Sequence, residues 1–149
     1  MPSRRPGVFV VELPAAPAEA PIDATVVRRW IERLPQMAVD GESATIPSVV
    51  QRLASFWLPG EPILYVGRSA KQVGGRLAAM YATELGEPRP HSGGHWLRTL
   101  SSLGDLRVWW AETVALEEFE DGLLAAVAER YVGGLPFANL SSAAGGAKP

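Results

Sequence analysis

The side chains best suited to chemistry form an acidic run near the end of the chain, in which Glu117, Glu118, Glu120 and Asp121 open a predicted helix over Leu116–Tyr131. A helical wheel at about 3.6 residues per turn places Glu120 inside the apolar arc of this helix, with the other acids at its edge or outside it. A carboxylate in a core is costly unless it is paired with a cation or binds a metal ion. We therefore expect a buried ion pair, a metal ligand, or a helix rotated slightly outward.

Three further polar residues stand among apolar ones. Tyr65 lies within an apolar strand, where a buried hydroxyl needs a hydrogen-bond partner. Arg76 flanks the apolar stripe of the next predicted helix, from which it could pair with Glu120 or bind a phosphate. Asn139 follows Leu-Pro-Phe-Ala, and its amide could simply cap the local backbone. Taken singly, each of these residues is compatible with a structural role.

Most other familiar site types are excluded by the sequence. His91 and His95 bracket Ser-Gly-Gly, and these glycines disfavour the helix on which such a spacing would bind zinc. This pattern predicts a polar loop near an active cleft. The chain has no cysteine, which excludes zinc–thiolate sites and thiol catalysis. It also lacks a P-loop sequence after Gly67 and any G-x-S-x-G motif.

Apolar patterning and turn signals predict the elements that would position these residues. Asp23 is a good N-cap, and Ser48 with Gln51 resembles a capping box. The predicted fold is α/β (α+β), with a small central antiparallel or mixed three-stranded sheet flanked by helices, in one domain over residues 1–140 before a disordered tail at 141–149. The strands are expected at Val8–Leu13, Ile63–Gly67 and Leu106–Glu112, and the helices at Ala24–Leu34, after Ser48, at Val73–Leu85, Trp96–Leu103 and Leu116–Tyr131.

Composition indicates the class of protein and the compartment in which we expect it. The 149 residues are 47% hydrophobic and 20% charged, as in one globular domain. We see no signal peptide and no apolar run of about 20 residues, so we expect no membrane contact. With the lack of cysteine, this favours a cytoplasmic protein.

The net charge of −2 hides an uneven distribution. Arg68–Arg98 carries five basic and two acidic residues, a local charge of +3, whereas Glu112–Glu129 carries six acids and no base. A local basic segment indicates a modest, salt-sensitive nucleic-acid footprint. The candidate nucleic-acid-binding residues are Arg68, Lys71, Arg89, His95 and Arg98.

Together these residues resemble the GIY-YIG nuclease superfamily. The sequence Gly7-Val8-Phe9 is similar to the first motif, and Leu64-Tyr65-Val66-Gly67 is similar to the second. Arg76, Glu120 and Asn139 follow in the order of the family's arginine, glutamate and asparagine.

The resemblance implies metal-dependent hydrolysis of phosphodiester bonds in nucleic acid, either DNA or RNA, with DNA favoured. It implies that Glu120 holds a single Mg²⁺ or Mn²⁺ and that Arg76 neutralises charge on the phosphate. Tyr65 would position or deprotonate the attacking water, with His91 as a second candidate base, and Asn139 would orient the site.

Two departures from the family pattern support an alternative. Phe9 stands where the family has Tyr, and residues 14–62, with two predicted helices, separate the two motif strands. This insertion could pack on the sheet, form a homo-oligomer contact or guide substrate. The alternative function is a catalytically weak or inactive module that binds nucleic acid or protein.

Overall fold

A computed structural model describes residues 4–72, 96–101, 103–131 and 134–139. These residues form a mixed α+β fold in which helices flank a three-stranded antiparallel sheet, as predicted. The elements in chain order are β1 (Gly7–Glu12), α1 (Ala24–Arg33), β2 (Ala38–Val39), β3 (Glu42–Ser43), α2 (Ile46–Ser55), β4 (Ile63–Ser69), a 3-10 turn (Leu103–Asp105), β5 (Arg107–Glu112) and α3 (Leu116–Arg130).

The two strands that carry the motifs are neighbours in the sheet, whose order is β4-β1-β5. Phe9 of β1 lies opposite Gly67 of β4 on one side and opposite Trp110 of β5 on the other. The pairing brings the two motifs together although the whole insertion separates them in sequence. The predicted three strands are confirmed, with bounds that differ by up to two residues.

The insertion packs on the sheet, which was one of the three roles left open for it. Val27 of α1 and Val49 and Leu53 of α2 are buried in the same core cluster as Phe9 and Val11 of β1. Burial of these β-branched and leucine side chains supplies the apolar contact that holds the helical insertion to the strands.

Helix caps fix where α1 and α2 begin. The Asp23 carboxylate accepts a hydrogen bond from the Thr25 amide at 2.9 Å, so the predicted N-cap of α1 is confirmed. The cap predicted at Ser48 is wrong. Thr45 caps α2, and Ser48 is the third helical residue of the Thr45–Ser48 capping box. Pro47 favours this earlier start, because proline is well tolerated in the first turn of a helix.

The helix predicted over Trp96–Leu103 is shorter in the structure. Residues 96–97 are helical, after which Leu100 forms a β-bridge with Ile22 and the 3-10 turn begins at Leu103. The bridge takes this segment out of helical geometry and ties it to the insertion. The helix predicted at Val73–Leu85 and the tail at 141–149 lie outside the described residues.

β5 forms one edge of the sheet, and its tryptophans are largely exposed. Trp109 is 59% exposed and donates its indole N–H to Glu12 Oε1 at 2.7 Å, while Trp110 is also exposed. Within the described ranges, no helix is long and apolar enough to cross a membrane.

Candidate active site

Glu120 lies on the face of α3 that packs against the sheet. Leu124 and Val127 are the buried residues of this helix, and Glu120 is one and two turns before them on the same side. Its side chain is 15% exposed, whereas Glu117 and Glu118 are exposed. The prediction that one carboxylate of the acidic run falls within the apolar arc is confirmed, and α3 is not rotated outward.

Arg68, near the end of β4, reaches this carboxylate. Arg68 Nε lies 3.7 Å from Glu120 Oε2, and Arg68 Nη1 lies 3.7 Å from Glu117 Oε1. Both separations are within ion-pair range but longer than a charge-assisted hydrogen bond of about 2.7–2.9 Å. The guanidinium is therefore shared between two carboxylates without a tight bond to either one.

The Glu120 carboxyl is electrostatically strained. Burial raises its pKa above the ordinary value of 4.5; Arg68 acts in the opposite direction, and the charges of Asp121 and Glu117 raise it further. Because burial is the largest of these effects, the nearby cation does not compensate fully for the loss of hydration. A site that holds a carboxylate at such a cost is a candidate for function.

An open cleft of about 530 Å³ lies beside the ion pair. Arg68 and the two carboxylates Glu117 and Glu118 line it, whereas Glu120 does not line it. Arg68 thus contacts the cleft and Glu120 at the same time.

Tyr65 lies on the other face of the sheet from Arg68. The two residues are three apart in β4, so their side chains project to opposite sides. Tyr65 is buried in the core, with its ring centroid 5.6 Å from that of Phe9. Gly67 makes this packing possible, since a Cβ there would overlap the Phe9 ring and lie 2.8 Å from Tyr65 Cε1.

The side-chain amide of Asn139 makes two hydrogen bonds to the backbone of one residue of β4. Its Oδ1 accepts from the Val66 amide at 2.8 Å, and its Nδ2 donates to the Val66 carbonyl at 2.9 Å. The backbone N–H of Ala138 also donates to the Leu64 carbonyl at 2.7 Å. Because β4 is a sheet edge, these bonds satisfy backbone groups that no strand pairs, and they fix the chain between Tyr65 and Arg68.

The remaining candidates are dispersed or undescribed. Lys71 is exposed just after β4, where the Ser69 hydroxyl accepts from the backbone N–H of Gln72 at 3.1 Å. Arg98 is half-buried in segment 96–101, which hydrogen-bonds to residues 21–23. Arg76, Arg89, His91 and His95 lie outside the described residues. Of the described site candidates, Arg68 therefore lines the cleft and contacts Glu120, Asn139 binds the edge of β4, and Tyr65 lies on the opposite face of the sheet.

The donors at the cleft fit a hard divalent ion only in part. Among the described residues, no group of three or more His, Asp or Glu side chains could surround a metal. Mg²⁺ commonly binds through one or two carboxylates and completes its shell with water and substrate phosphate. Glu120 could be such a carboxylate ligand only when Arg68 no longer pairs with it.

No family model, curated protein or solved structure matches the chain. The resemblance to GIY-YIG nucleases therefore depends on the residues alone.

Sequence reasoning missed two partnerships. It assigned Arg68 to nucleic acid and Glu120 to metal without pairing them, and it considered Arg76 as the structural partner of Glu120. It also missed Arg130, which donates to Glu61 Oε1 immediately before β4. Opposite charges on β4 and on the packed face of α3 were the available signal, but their meeting depends on how the helix lies across the strands.

Proposed function

We propose that this protein is a metal-dependent endonuclease-like hydrolase that cleaves phosphodiester bonds in nucleic acid, with DNA as the preferred substrate. The supporting observation is that Glu120 stays partly desolvated on the packed face of α3, beside a cleft that Arg68 lines. Burial opposes the ionised form of this carboxylate, so the charged side chain is a cost to the stability of the fold.

The role of Glu120 comes from the resemblance, and the role of Arg68 follows from its charge and its position at the cleft. A bound Mg²⁺ or Mn²⁺ supplies Lewis-acid stabilisation of the oxygen that leaves the phosphorus. Glu120 would hold that ion through its carboxylate, and Arg68 would present guanidinium N–H groups to the non-bridging phosphate oxygens. Asn139 holds Val66 of β4 in position, two residues before Arg68. The assignments of Arg76 to the phosphate and of Tyr65 or His91 to water activation come from the resemblance.

The test is cleavage of supercoiled plasmid and of branched DNA with Mg²⁺ or Mn²⁺, compared between the wild type and Glu120→Gln. Loss of one metal ligand typically lowers the rate by orders of magnitude, and we expect at least a 100-fold loss of nicking. Glu129→Gln is the matched control, since Glu129 is an exposed carboxylate on the same helix. Equal cleavage by the wild type and by Glu120→Gln would remove the assigned site.

A second function, a catalytically inactive module that binds nucleic acid, is favoured by the position of Tyr65. Its ring is buried against Phe9 on the face of the sheet opposite Arg68. This function predicts DNA binding that weakens steeply with salt, that survives Glu120→Gln and that is never accompanied by cleavage. Fluorescence anisotropy with a labelled duplex across a salt series, alongside the nicking assay, separates the two functions.

A further inference from the structure

We propose that β5 pairs antiparallel with β5 of a second copy of this chain about a two-fold axis, so that the two three-stranded sheets become one continuous sheet. The interaction surface is the free edge of β5 with the side chains that it exposes. This dimer is independent of the proposed function, and it does not use the insertion.

The two edges of the sheet differ in how their outward backbone groups are satisfied. At the β4 edge, Ala138 and Asn139 hydrogen-bond to the strand. No described residue does the same at the outer side of β5, which runs for six residues in regular register without a proline or a lysine. Natural proteins usually protect an edge strand with such residues, a bulge or a covering segment, so this edge is suited to pairing with another strand.

The hydrogen bonds to β1 determine which residues of β5 can bond to a new strand. The Thr113 N–H donates to the Pro6 carbonyl at 3.0 Å, in register with the rest of the ladder. Because the bonds of an antiparallel ladder alternate, the N–H and C=O groups of Val108 and Trp110 point away from β1. These two residues lie on either side of Trp109. A two-fold axis at Trp109 therefore sets Val108 of each copy opposite Trp110 of the other, with their backbone groups facing.

The same register matches the side chains of the two strands. Trp110 opposite Val108 is an aromatic and β-branched pair, of the kind that stabilises antiparallel strands, and the symmetry makes this pair twice. Trp109 meets Trp109 of the second copy in a non-hydrogen-bonded pair, where side chains lie closest. β5 begins with Arg107 and ends with Glu112, so the basic end of each strand lies beside the acidic end of the other.

The exposed apolar side chains concentrate around this edge. Every large hydrophobic side chain that the described residues expose lies in β5 or in the segments that flank it, namely Leu103, Trp109, Trp110, Val114 and Phe119. Together they present roughly 500 Å² of side-chain surface. With the backbone edge of β5, this area approaches the ~800 Å² that each partner buries in a stable interface.

Residues 141–149 are poorly suited to cover this surface. Asn139 holds the last described segment at β4, which is the opposite edge of the sheet. The sequence of residues 141–149 contains no large apolar side chain that could pack on the tryptophans. A second copy supplies such side chains in the required register.

The first experiment measures the dimer dissociation constant by sedimentation equilibrium. In the proposed register, Ala111 lies opposite Arg107 of the second copy, and both residues are exposed in the single chain. Ala111→Lys sets like charges opposite each other and should weaken the dimer about fivefold, whereas Ala111→Glu should tighten it. Arg107→Glu added to Ala111→Lys should restore the wild-type affinity.

Ala125→Lys is the matched control, because it makes the same change at an exposed position of α3 and should leave the dimer unchanged. Circular dichroism verifies that each variant is folded. A wild type that stays monomeric at about 100 μM, above the micromolar affinities of weak interfaces of standard size, would overturn the proposal. Equal effects of Ala111→Lys and Ala111→Glu would also overturn it.

The absence of cysteine from the chain allows a second, direct experiment. Trp109→Cys places a thiol of each copy at the axis, where opposite Cα atoms lie about 4.5 Å apart, within the range of a disulfide. Mild oxidation should link this variant into a covalent dimer on a non-reducing gel. Ala111→Cys should stay unlinked, since the two copies of this residue are offset by about 13 Å along the strands. Equal linking of both variants, or linking of Ala111→Cys alone, would contradict the pairing.

Discussion

Among the described residues, ion pairs connect α3 to the β4 region at two places, one at Arg68 and one at Arg130, and the two places differ in burial and in distance. Near the C-terminal end of α3, Arg130 binds Glu61, whose side chain is only 1% exposed. In its first half, about 15 Å away by the rise of the helix, Glu120 meets Arg68. The acid belongs to the strand side in the first pair and to the helix in the second.

The geometry of each ion pair indicates whether its role is to stabilise the fold or to bind other partners. Arg130 donates through two nitrogens to one oxygen of Glu61, with Nε at 2.9 Å. Arg68 instead divides its guanidinium between two carboxylates at 3.7 Å and borders an open cleft. A tight pair around a fully buried acid holds the fold together, whereas a loose pair at a cleft leaves both charges available to other partners.

The largest effect should come from the Glu61 pair. Arg130→Met leaves a buried carboxylate without its cation, and we expect the free energy of unfolding to fall by about 3–5 kcal/mol. Glu61→Gln should cost less, about 1–2 kcal/mol, because the Arg130 side chain is 48% exposed and can turn into water. Urea denaturation at neutral pH measures both.

The double variant Glu61→Leu with Arg130→Met is the control for this asymmetry. Replacement of a buried pair by apolar side chains is often close to neutral, so the double variant should regain most of the stability that Arg130→Met loses. Equal losses in the free energy of unfolding for Arg130→Met and Glu61→Gln would show that the asymmetry between these two partners does not come from the burial of Glu61.

A middle-sized effect on stability is expected at Asn139, whose amide binds Val66, between Glu61 and Arg68 in the chain. Asn139→Ala removes both hydrogen bonds to the Val66 backbone, and we expect a loss of about 2 kcal/mol in the free energy of unfolding. Asn139→Asp should be at least as costly, since a carboxylate oxygen would then face the Val66 carbonyl. The measurements are urea denaturation and Mn²⁺ affinity of the folded fraction.

Unchanged Mn²⁺ affinity in Asn139→Ala would assign this residue to the stable part of the molecule, with the Glu61 pair. Weakened affinity in the folded protein would extend the functional region from Glu120 back to Val66.

Local sequence patterns predicted much of the fold because the relevant forces are local. The Asp23 carboxylate caps the next turn of the chain. The apolar pattern of α3 is weaker, since Leu124 and Val127 are buried but Phe119 is 52% exposed. The cap at Ser48 failed because two hydroxyls three residues apart, those of Thr45 and Ser48, both fit a capping box.

The site was predictable only as a set of residue types. The wheel selected Glu120 because burial of one carboxylate depends on helical period alone. Its partner, Arg68, depends on how α3 crosses β4, and the position of Tyr65 depends on which face of β4 the insertion covers. These are long-range contacts, and neither spacing nor composition encodes them.

The smallest effect on stability is expected from Glu120→Gln. This variant should not destabilise the protein, whereas Glu61→Gln should. Burial raises the pKa of the Glu120 carboxyl in the folded protein above the ordinary value of 4.5. The folded state therefore binds the proton more tightly than the unfolded state, and stability falls as pH rises from about that value through the folded pKa. Above this window the ionised carboxylate is a net cost to the fold.

Glu120→Gln should accordingly be at least as stable as the wild type at neutral pH, with a difference that shrinks as pH falls toward 4.5 and below. Thermal unfolding of both proteins across this range is the measurement, with Glu129→Gln as the control on the same helix. Arg68 keeps Glu117 and solvent as partners in the variant, so its own loss is small. A Glu120→Gln protein that is clearly less stable than the wild type at neutral pH would place Glu120 with Glu61, as a structural acid, and would remove the contrast on which the proposed site depends.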